Sequence, residues 1–219
     1  MTWKAKLLDL FFPPKCIFCR VLMERGNICP ACEKRLNAME QPKNRTLPGG
    51  LFCVSALPYE DVVRESILRF KFEERDCYAP AYGEIMARVA ALELADRFDV
   101  VTWVPVSKKR RRERGYDQAE LLAKEMCRLW GVSPVRMLAK TRNNPAQSGL
   151  ASAEQRRANV LGVYETVNRE DFTGRRVLLV DDILTTGSTV QEAARVLRLA
   201  GADEVVVLTL AAAGDGACL

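Results

Sequence analysis

Histidine is missing altogether from the 219 residues. Its absence excludes the commonest general acid/base and every metal centre that needs an imidazole, so any chemistry here must use carboxylates, Lys, Arg, Tyr or a metal. Long hydrophobic runs are missing too. The longest apolar stretch, residues 205–213, is strand-sized and contains Thr209, far short of the roughly 20 residues a bilayer span requires. The N-terminal run Leu7-Leu8-Asp9-Leu10-Phe11-Phe12 is interrupted by Asp9 and ended by Pro13-Pro14, with no small-residue cleavage site behind it, so it reads as a short amphipathic helix rather than an export signal. Without such a signal the eight cysteines are expected in the reducing cytoplasm, where clustered thiols ligate metal in preference to forming disulfides. Also absent are internal repeats and the phosphate-cradling patterns G-x-x-x-x-G-K-[ST] and G-x-G-x-x-G, which removes Walker-type and dinucleotide sites.

What is present is an ordinary globular composition, 48% hydrophobic and 28% charged, long enough for one medium domain and a small appended module. Residues 39–50, with Gln41-Pro42-Lys43 and Leu47-Pro48-Gly49-Gly50, form a breaker-rich segment of the kind that separates folded units. The division expected is therefore a module over 1–50 and a main domain over 51–219.

In the main domain, apolar spacing predicts helices over 59–72, 81–94 and 117–130, the last closed by Gly131, and a buried strand over 100–104. Residues 141–159 are mainly polar and predict a long mobile loop. The final third reads as strand 177–180, a loop through Thr189, helix 190–200 with Gly201 as its C-cap, and strand 205–210: a βαβ unit. Strands alternating with helices imply an α/β fold with a mainly parallel sheet, which binds ligands beyond the carboxyl ends of its strands.

The strand 177–180 leads into Asp181-Asp182-Ile183-Leu184-Thr185-Thr186-Gly187-Ser188-Thr189. Two carboxylates leaving a strand end can accept hydrogen bonds from vicinal ribose hydroxyls or, through them or water, hold Mg²⁺. The hydroxyl-rich turn behind them leads into a helix N-terminus, whose free N–H groups and dipole favour a phosphate. An acidic turn followed by a Ser/Thr cap explains single residues of the run, but not paired acids behind an apolar strand. The run closely resembles the phosphoribosyl pyrophosphate motif of type I phosphoribosyltransferases, which implies that Asp181 and Asp182 orient the ribose and Thr185, Thr186, Gly187, Ser188 and Thr189 hold its 5′-phosphate.

The segment Lys108-Lys109-Arg110-Arg111-Arg112-Glu113-Arg114 concentrates six positive groups just after the strand 100–104, at the same sheet edge. Arg offers planar forks for phosphate oxygens and Gly115 permits close backbone approach before the next helix, so a pyrophosphate fits. The tract exceeds what one pyrophosphate needs; a nucleic-acid backbone, or plain solvation of a surface run, remains open beside that reading.

With these pieces the chain is identified as resembling the ComF family, competence-associated proteins with a phosphoribosyltransferase domain. The matching residues are Phe12-Pro13, the cysteine pairs, Lys71-Phe72, Val104-Pro105-Val106, Arg114-Gly115-Tyr116-Asp117-Gln118, and Thr141, Gln147, Leu150, Arg156 and Asn159 in the polar loop. Asp117 departs from the Asn usual in the family's R-G-Y-N-Q run and places a negative charge beside the expected anion site.

Cys16-x-x-Cys19 and Cys29-x-x-Cys32 are two pairs able to close four thiolates tetrahedrally on Zn²⁺, with Arg25-Gly26-Asn27 supplying a turn between them. A redox pair or unligated core thiols are the alternatives. A module of about fifty residues has too small a core alone, so a structural, non-catalytic metal is expected. Cys53, Cys77, Cys127 and Cys218 are scattered and read as small buried hydrophobes.

Two functions share this site. One is an enzyme that uses Mg²⁺ and displaces pyrophosphate from phosphoribosyl pyrophosphate with a nitrogen nucleophile, although no base-recognition signature is found. The other, implied by the ComF resemblance, is a non-catalytic single-stranded-DNA-binding protein of DNA uptake, acting with other uptake proteins and keeping the sugar phosphate as a regulatory ligand.

Overall fold

The computed structural model describes residues 14–42, 44–73, 75–141 and 162–214. The expected helix at 7–12, most of the expected loop at 141–159, and Cys218 lie outside them.

The module contains α1 (Pro30–Ala38). The main domain then runs β1 (Arg45–Leu47), β2 (Leu51–Pro58), α2 (Asp61–Phe72), α3 (Ala79–Glu93), β3 (Val100–Trp103), α4 (Lys108–Arg114) and α5 (Gln118–Leu129). It continues with β4 (Leu138–Lys140), β5 (Tyr164–Thr166), β6 (Arg176–Leu184), α6 (Ser188–Leu199) and β7 (Glu204–Ala212). Five strands form one sheet in the order β1-β2-β7-β6-β3, parallel throughout except for the antiparallel edge strand β1. β4 and β5 make a separate antiparallel pair.

Why the sheet is parallel follows from its strands. β6 and β7 are apolar on both faces, with Val177–Val180 and Val205–Leu208 fully buried, as strands covered by helices on two sides must be. One face is covered by α2, α3 and α5, whose Val63, Ile67, Phe70, Tyr82, Met86, Leu122 and Met126 share a core with Leu178, Val180, Val206 and Leu208. The other is covered by α6 and the β4–β5 pair, through Val190, Ala194, Leu197, Leu138 and Tyr164 packed on Leu179 and Val207.

Three expectations need correction. The breaker-rich segment 39–50 is not all separator: Pro48-Gly49-Gly50 closes a hairpin between β1 and β2, and β1 belongs to the sheet. Gly49 and Gly50 have φ of 81° and 69°, a pair of left-handed residues that only glycine adopts without strain. Secondly, the basic tract is not only the approach to a helix; it is a helix itself. Ser107 Oγ caps α4 by accepting from the Arg110 N–H at 3.3 Å, and Gly115 ends it in the left-handed region. Thirdly, β6 does not stop before the acidic pair. It continues through Asp181 and Asp182 to Leu184, with Asp181 in register with Thr209.

Candidate sugar-phosphate site and cysteine centre

The carboxyl ends of β6 and β3 bring the sequence motifs to one edge, as a parallel sheet requires. Asp181 and Asp182 are half-buried there. The Asp182 N–H donates to Asp181 Oδ1 at 2.8 Å, which fixes the first carboxylate against its own backbone. Burial, reinforced by the Asp182 charge, pushes the Asp181 carboxyl well above the usual carboxylate range, with the Lys71 ammonium acting the other way.

Behind the acids, Gly187 caps α6 at φ 76°. A side chain there would suffer that backbone strain, and its Cβ would come within 2.5 Å of Leu47 Cδ1 on the β1 hairpin. Thr186 Oγ1 lies 2.9 Å from Ser188 Oγ and accepts from the Ser188 N–H at 3.4 Å. Hydroxyls and the first-turn amides of a twelve-residue helix therefore gather beside the acidic pair.

Of the basic residues, Arg114 and Arg110 are half-buried and belong to this region. Arg114 stacks its guanidinium 5.0 Å from the Phe72 ring centre, donates to Gln118 Oε1 at 3.0 Å, and feels the Asp182 charge; burial lowers its pKa. Arg110 acts on Lys140 and Tyr164. The others diverge. Lys108, Arg111, Arg112 and Gly115 line an open depression of about 440 Å³, Arg111 pairs with Glu120 at 2.9 Å, and Lys109 lies 3.9 Å from Glu113. The tract thus splits into a site-facing pair and an exposed basic face.

Asp117 is not a charge lying on that face. It is buried and caps α5, accepting from the Glu120 N–H at 3.3 Å and from the Val106 N–H at 2.9 Å. Burial raises its carboxyl from the ordinary 3.8 to about 6, against those two donors.

Thr141 stands at the root of the polar loop, its N–H donating to the Val163 carbonyl at 2.9 Å; Gln147 and Arg156 lie outside the described residues. The far root is tied to α6 by the Gly162 N–H on Glu192 Oε1 at 2.8 Å. Between the roots, Lys140 and Tyr164 face each other in register, with the ammonium 5.3 Å from the ring centre. Burial and the Arg110 charge pull Lys140 down to about 8, while Asp181 and Asp117 act to raise it. The buried Tyr164 hydroxyl finds no hydrogen-bond partner among the described residues.

Sequence reasoning missed Lys140, Tyr164 and the role of Lys71. Lys71 Nζ lies 2.8 Å from Asp182 Oδ2, with both side chains only 15% exposed. A loop rooted in two short strands brings its first and last residues together, a signal that pointed to Lys140 and Tyr164 without being used. Lys71 stood out only as part of the family match Lys71-Phe72, and nothing local in the sequence announces its pairing with Asp182.

The four clustered cysteines come together as expected. The Sγ atoms of Cys16, Cys19, Cys29 and Cys32 all lie within 4.8 Å of one another, and those of Cys19 and Cys29 are 3.5 Å apart. Tetrahedral zinc with Zn–S bonds of about 2.3 Å needs sulfurs roughly 3.8 Å apart, so the set fits a closed structural zinc with no position left for a substrate. The N–H of Cys29 donates to Cys16 Sγ, and that of Cys32 to Cys29 Sγ, both at 3.4 Å. Cys29 is also the N-cap of α1, so the second pair sits on a helix start. The first knuckle turns through Arg20, at φ 65°, and packs Ile17 and Phe18 into the main core. Arg69 donates to the Ile17 and Phe18 carbonyls at 2.9 and 2.6 Å, and the Ser66 hydroxyl bridges Ile17 O and Tyr82 Oη at 2.5 Å each. Of the scattered thiols, Cys53 and Cys127 are buried, whereas Cys77 is exposed, contrary to expectation.

Residues 88–218 match the phosphoribosyl transferase domain family, and residues 7–43 match the double zinc ribbon domain. Competence protein F of Haemophilus influenzae is 28% identical, over 93% of this chain and 99% of its own. Competence protein ComFC of Bacillus subtilis is 28% identical over 90% of this chain and 83% of its own. DNA utilization protein YhgH of Escherichia coli O157:H7 is 30% identical, over 84% and 83%.

The chain belongs to the ComF family. Its main domain is a phosphoribosyltransferase-type α/β fold with a zinc-ribbon module at its N-terminal side. Among the described residues, no helix is long and apolar enough to cross a membrane.

Proposed function

We propose that this ComF protein is a cytoplasmic phosphoribosyltransferase-like protein that binds phosphoribosyl pyrophosphate with Mg²⁺ and transfers its phosphoribosyl group to a nitrogen acceptor. The observation that supports this reading is that Asp181 and Asp182 stand near the carboxyl end of β6, from which the Thr186–Ser188 turn leads directly into α6. The acids take the ribose hydroxyls and, through them or water, the ion. The turn and the first amides of α6 take the 5′-phosphate. Arg114 and Arg110 stabilise the diphosphate as it leaves, in a half-buried setting where a charge counts for more than in water. Mg²⁺, when bound with the ligand, would supply further positive charge to the leaving group.

Incubation with Mg²⁺, phosphoribosyl pyrophosphate and a panel of nucleobases tests the transfer. Release of pyrophosphate that depends on one base supports it; silence across the panel eliminates catalysis and leaves a binding protein.

A second reading has its own observation: the exposed Lys108, Arg111 and Arg112, which line one depression with Gly115. It fits a single-stranded-DNA backbone, in keeping with relatives named for competence and DNA utilization, and would place the protein beside other DNA-uptake proteins. Binding by this face should weaken steeply with salt, losing about one unit of log–log slope for each cation removed. Salt-independent or absent binding would eliminate it.

A further inference from the structure

Adjacent carboxylates repel, and a site that must hold two needs positive charge close by. At this strand edge the protein supplies it. Lys71 is the penultimate residue of α2, where the helix dipole favours a cation, and its ammonium reaches Asp182 at 2.8 Å. The pair is shielded on both sides, with 15% of each side chain exposed, so it lies well away from the solvent-screened regime in which ion pairs contribute little. Nor is Lys71 free to swing. The preceding residue, Phe70, is fully buried, its carbonyl accepts from the Tyr116 hydroxyl, and one residue earlier Arg69 is anchored on the cysteine knuckle. Arg114 adds a second positive group that feels the Asp182 charge. A divalent ion seeking that Asp182 oxygen would have to displace the Lys71 ammonium from it.

We propose that Lys71 is the resident cation of the sugar site: it holds the Asp182 carboxylate in position for a ribose hydroxyl and occupies the place on that carboxylate that a divalent ion would take. The inference rests on the reading of Asp181 and Asp182 as a ribose clamp and deepens it. Recognition of the pentose by the acids then needs no metal, and any Mg²⁺ enters with the ligand's diphosphate. Lys71 is a positioning residue, distinct from the groups that meet the phosphate.

Ribose 5-phosphate separates the two roles, because it carries the pentose and the 5′-phosphate but no diphosphate to chelate an ion. Calorimetric titration of the full, zinc-loaded chain should give wild-type affinities that agree within about twofold in magnesium-free buffer and in millimolar magnesium; no chelator is used, so the cysteine centre stays loaded. Lys71→Met should bind about tenfold or more weaker without magnesium and recover partly when it is added, whereas Lys71→Arg should stay within about threefold of wild type. Wild-type binding that requires magnesium overturns the inference and leaves the clamp intact. Folded Lys71→Met binding as tightly as wild type does the same. The wild-type comparison stands even if the Met variant fails to fold. Absence of wild-type binding under both conditions removes the clamp itself, and the inference with it.

Discussion

The cysteine knuckle and the acidic strand edge solve one problem in opposite ways. Each gathers groups that repel when ionised: four thiolates within 4.8 Å in one, two neighbouring carboxylates in the other. In the knuckle the compensating charge fits an ion brought from outside, and the sulfurs are closed around the space for it. At the strand edge the compensating charge is a lysine of the chain itself. A centre that only holds the fold can be sealed; one that must exchange a ligand needs its charge balance built in. The two are also joined, because α2 grips the knuckle through Ser66 and Arg69 and meets the acids through Lys71.

Breaking the knuckle should have the largest effect. Cys32→Ser removes one thiolate from a set packed into the main core, and is expected to abolish stoichiometric zinc and cost roughly 4 kcal/mol, on the order of 10 °C in Tm. Metal analysis and thermal melts check both. A variant that keeps its zinc or its Tm would show that the knuckle and core are less dependent on each other than their packing implies. Next comes the link between the regions. Arg69→Ala strands the buried carbonyl of Phe18 and leaves that of Ile17 to the Ser66 hydroxyl alone, which should cost about 3 kcal/mol in urea unfolding.

Asp117 sharpens the comparison from the other side, as a buried acid with two N–H donors and no cation within hydrogen-bond reach among the described residues. Its folded pKa of about 6 exceeds the ordinary 3.8, so the folded state holds the proton longer than the unfolded one. Its contribution to stability is fully present below the lower value and falls as pH rises through the higher one. Val106 and Glu120 bond different oxygens of Asp117, so Asp117→Asn removes the buried charge but keeps an acceptor for only one of the two amides; it should flatten the pH dependence in that window, with the lost amide bond offsetting much of the gain at pH 7. Equal stability across the window in the wild type would contradict the buried-acid account. The smallest effect is expected at the exposed basic face, where Arg111→Ala with Arg112→Ala should change unfolding free energy by less than about 1 kcal/mol. A larger loss would mean that the face is structural.

Much of this was legible in the sequence because it is local. The acidic pair, the hydroxyl-rich turn and the cysteine pairs each sit within a few residues, and the apolar runs 177–180 and 205–210 announced buried parallel strands. What stayed hidden depends on context. A run of Lys and Arg has no apolar period, so α4 was visible only through Ser107 and Gly115, residues equally at home in a loop. Pro48-Gly49-Gly50 looks the same in a linker and in a hairpin, and only the pairing of Arg45–Leu47 with β2 decides. Asp117 read as a charge beside the anion site because the spacing counted it inside the helix 117–130, whereas it is the buried cap that precedes Gln118. Lys71 meets Asp182 only after the sheet has formed, and no spacing rule reaches that far.

The central claim is that Asp181 and Asp182 clasp the pentose of a phosphorylated sugar. Its most direct measurement is calorimetric binding of phosphoribosyl pyrophosphate, in magnesium, to the wild type and to the double variant Asp181→Asn/Asp182→Asn. The account predicts saturable one-to-one binding by the wild type and a loss of about a hundredfold or more in a variant that melts within a few degrees of it. Equal affinity in the two folded proteins would place the ligand elsewhere and contradict the account.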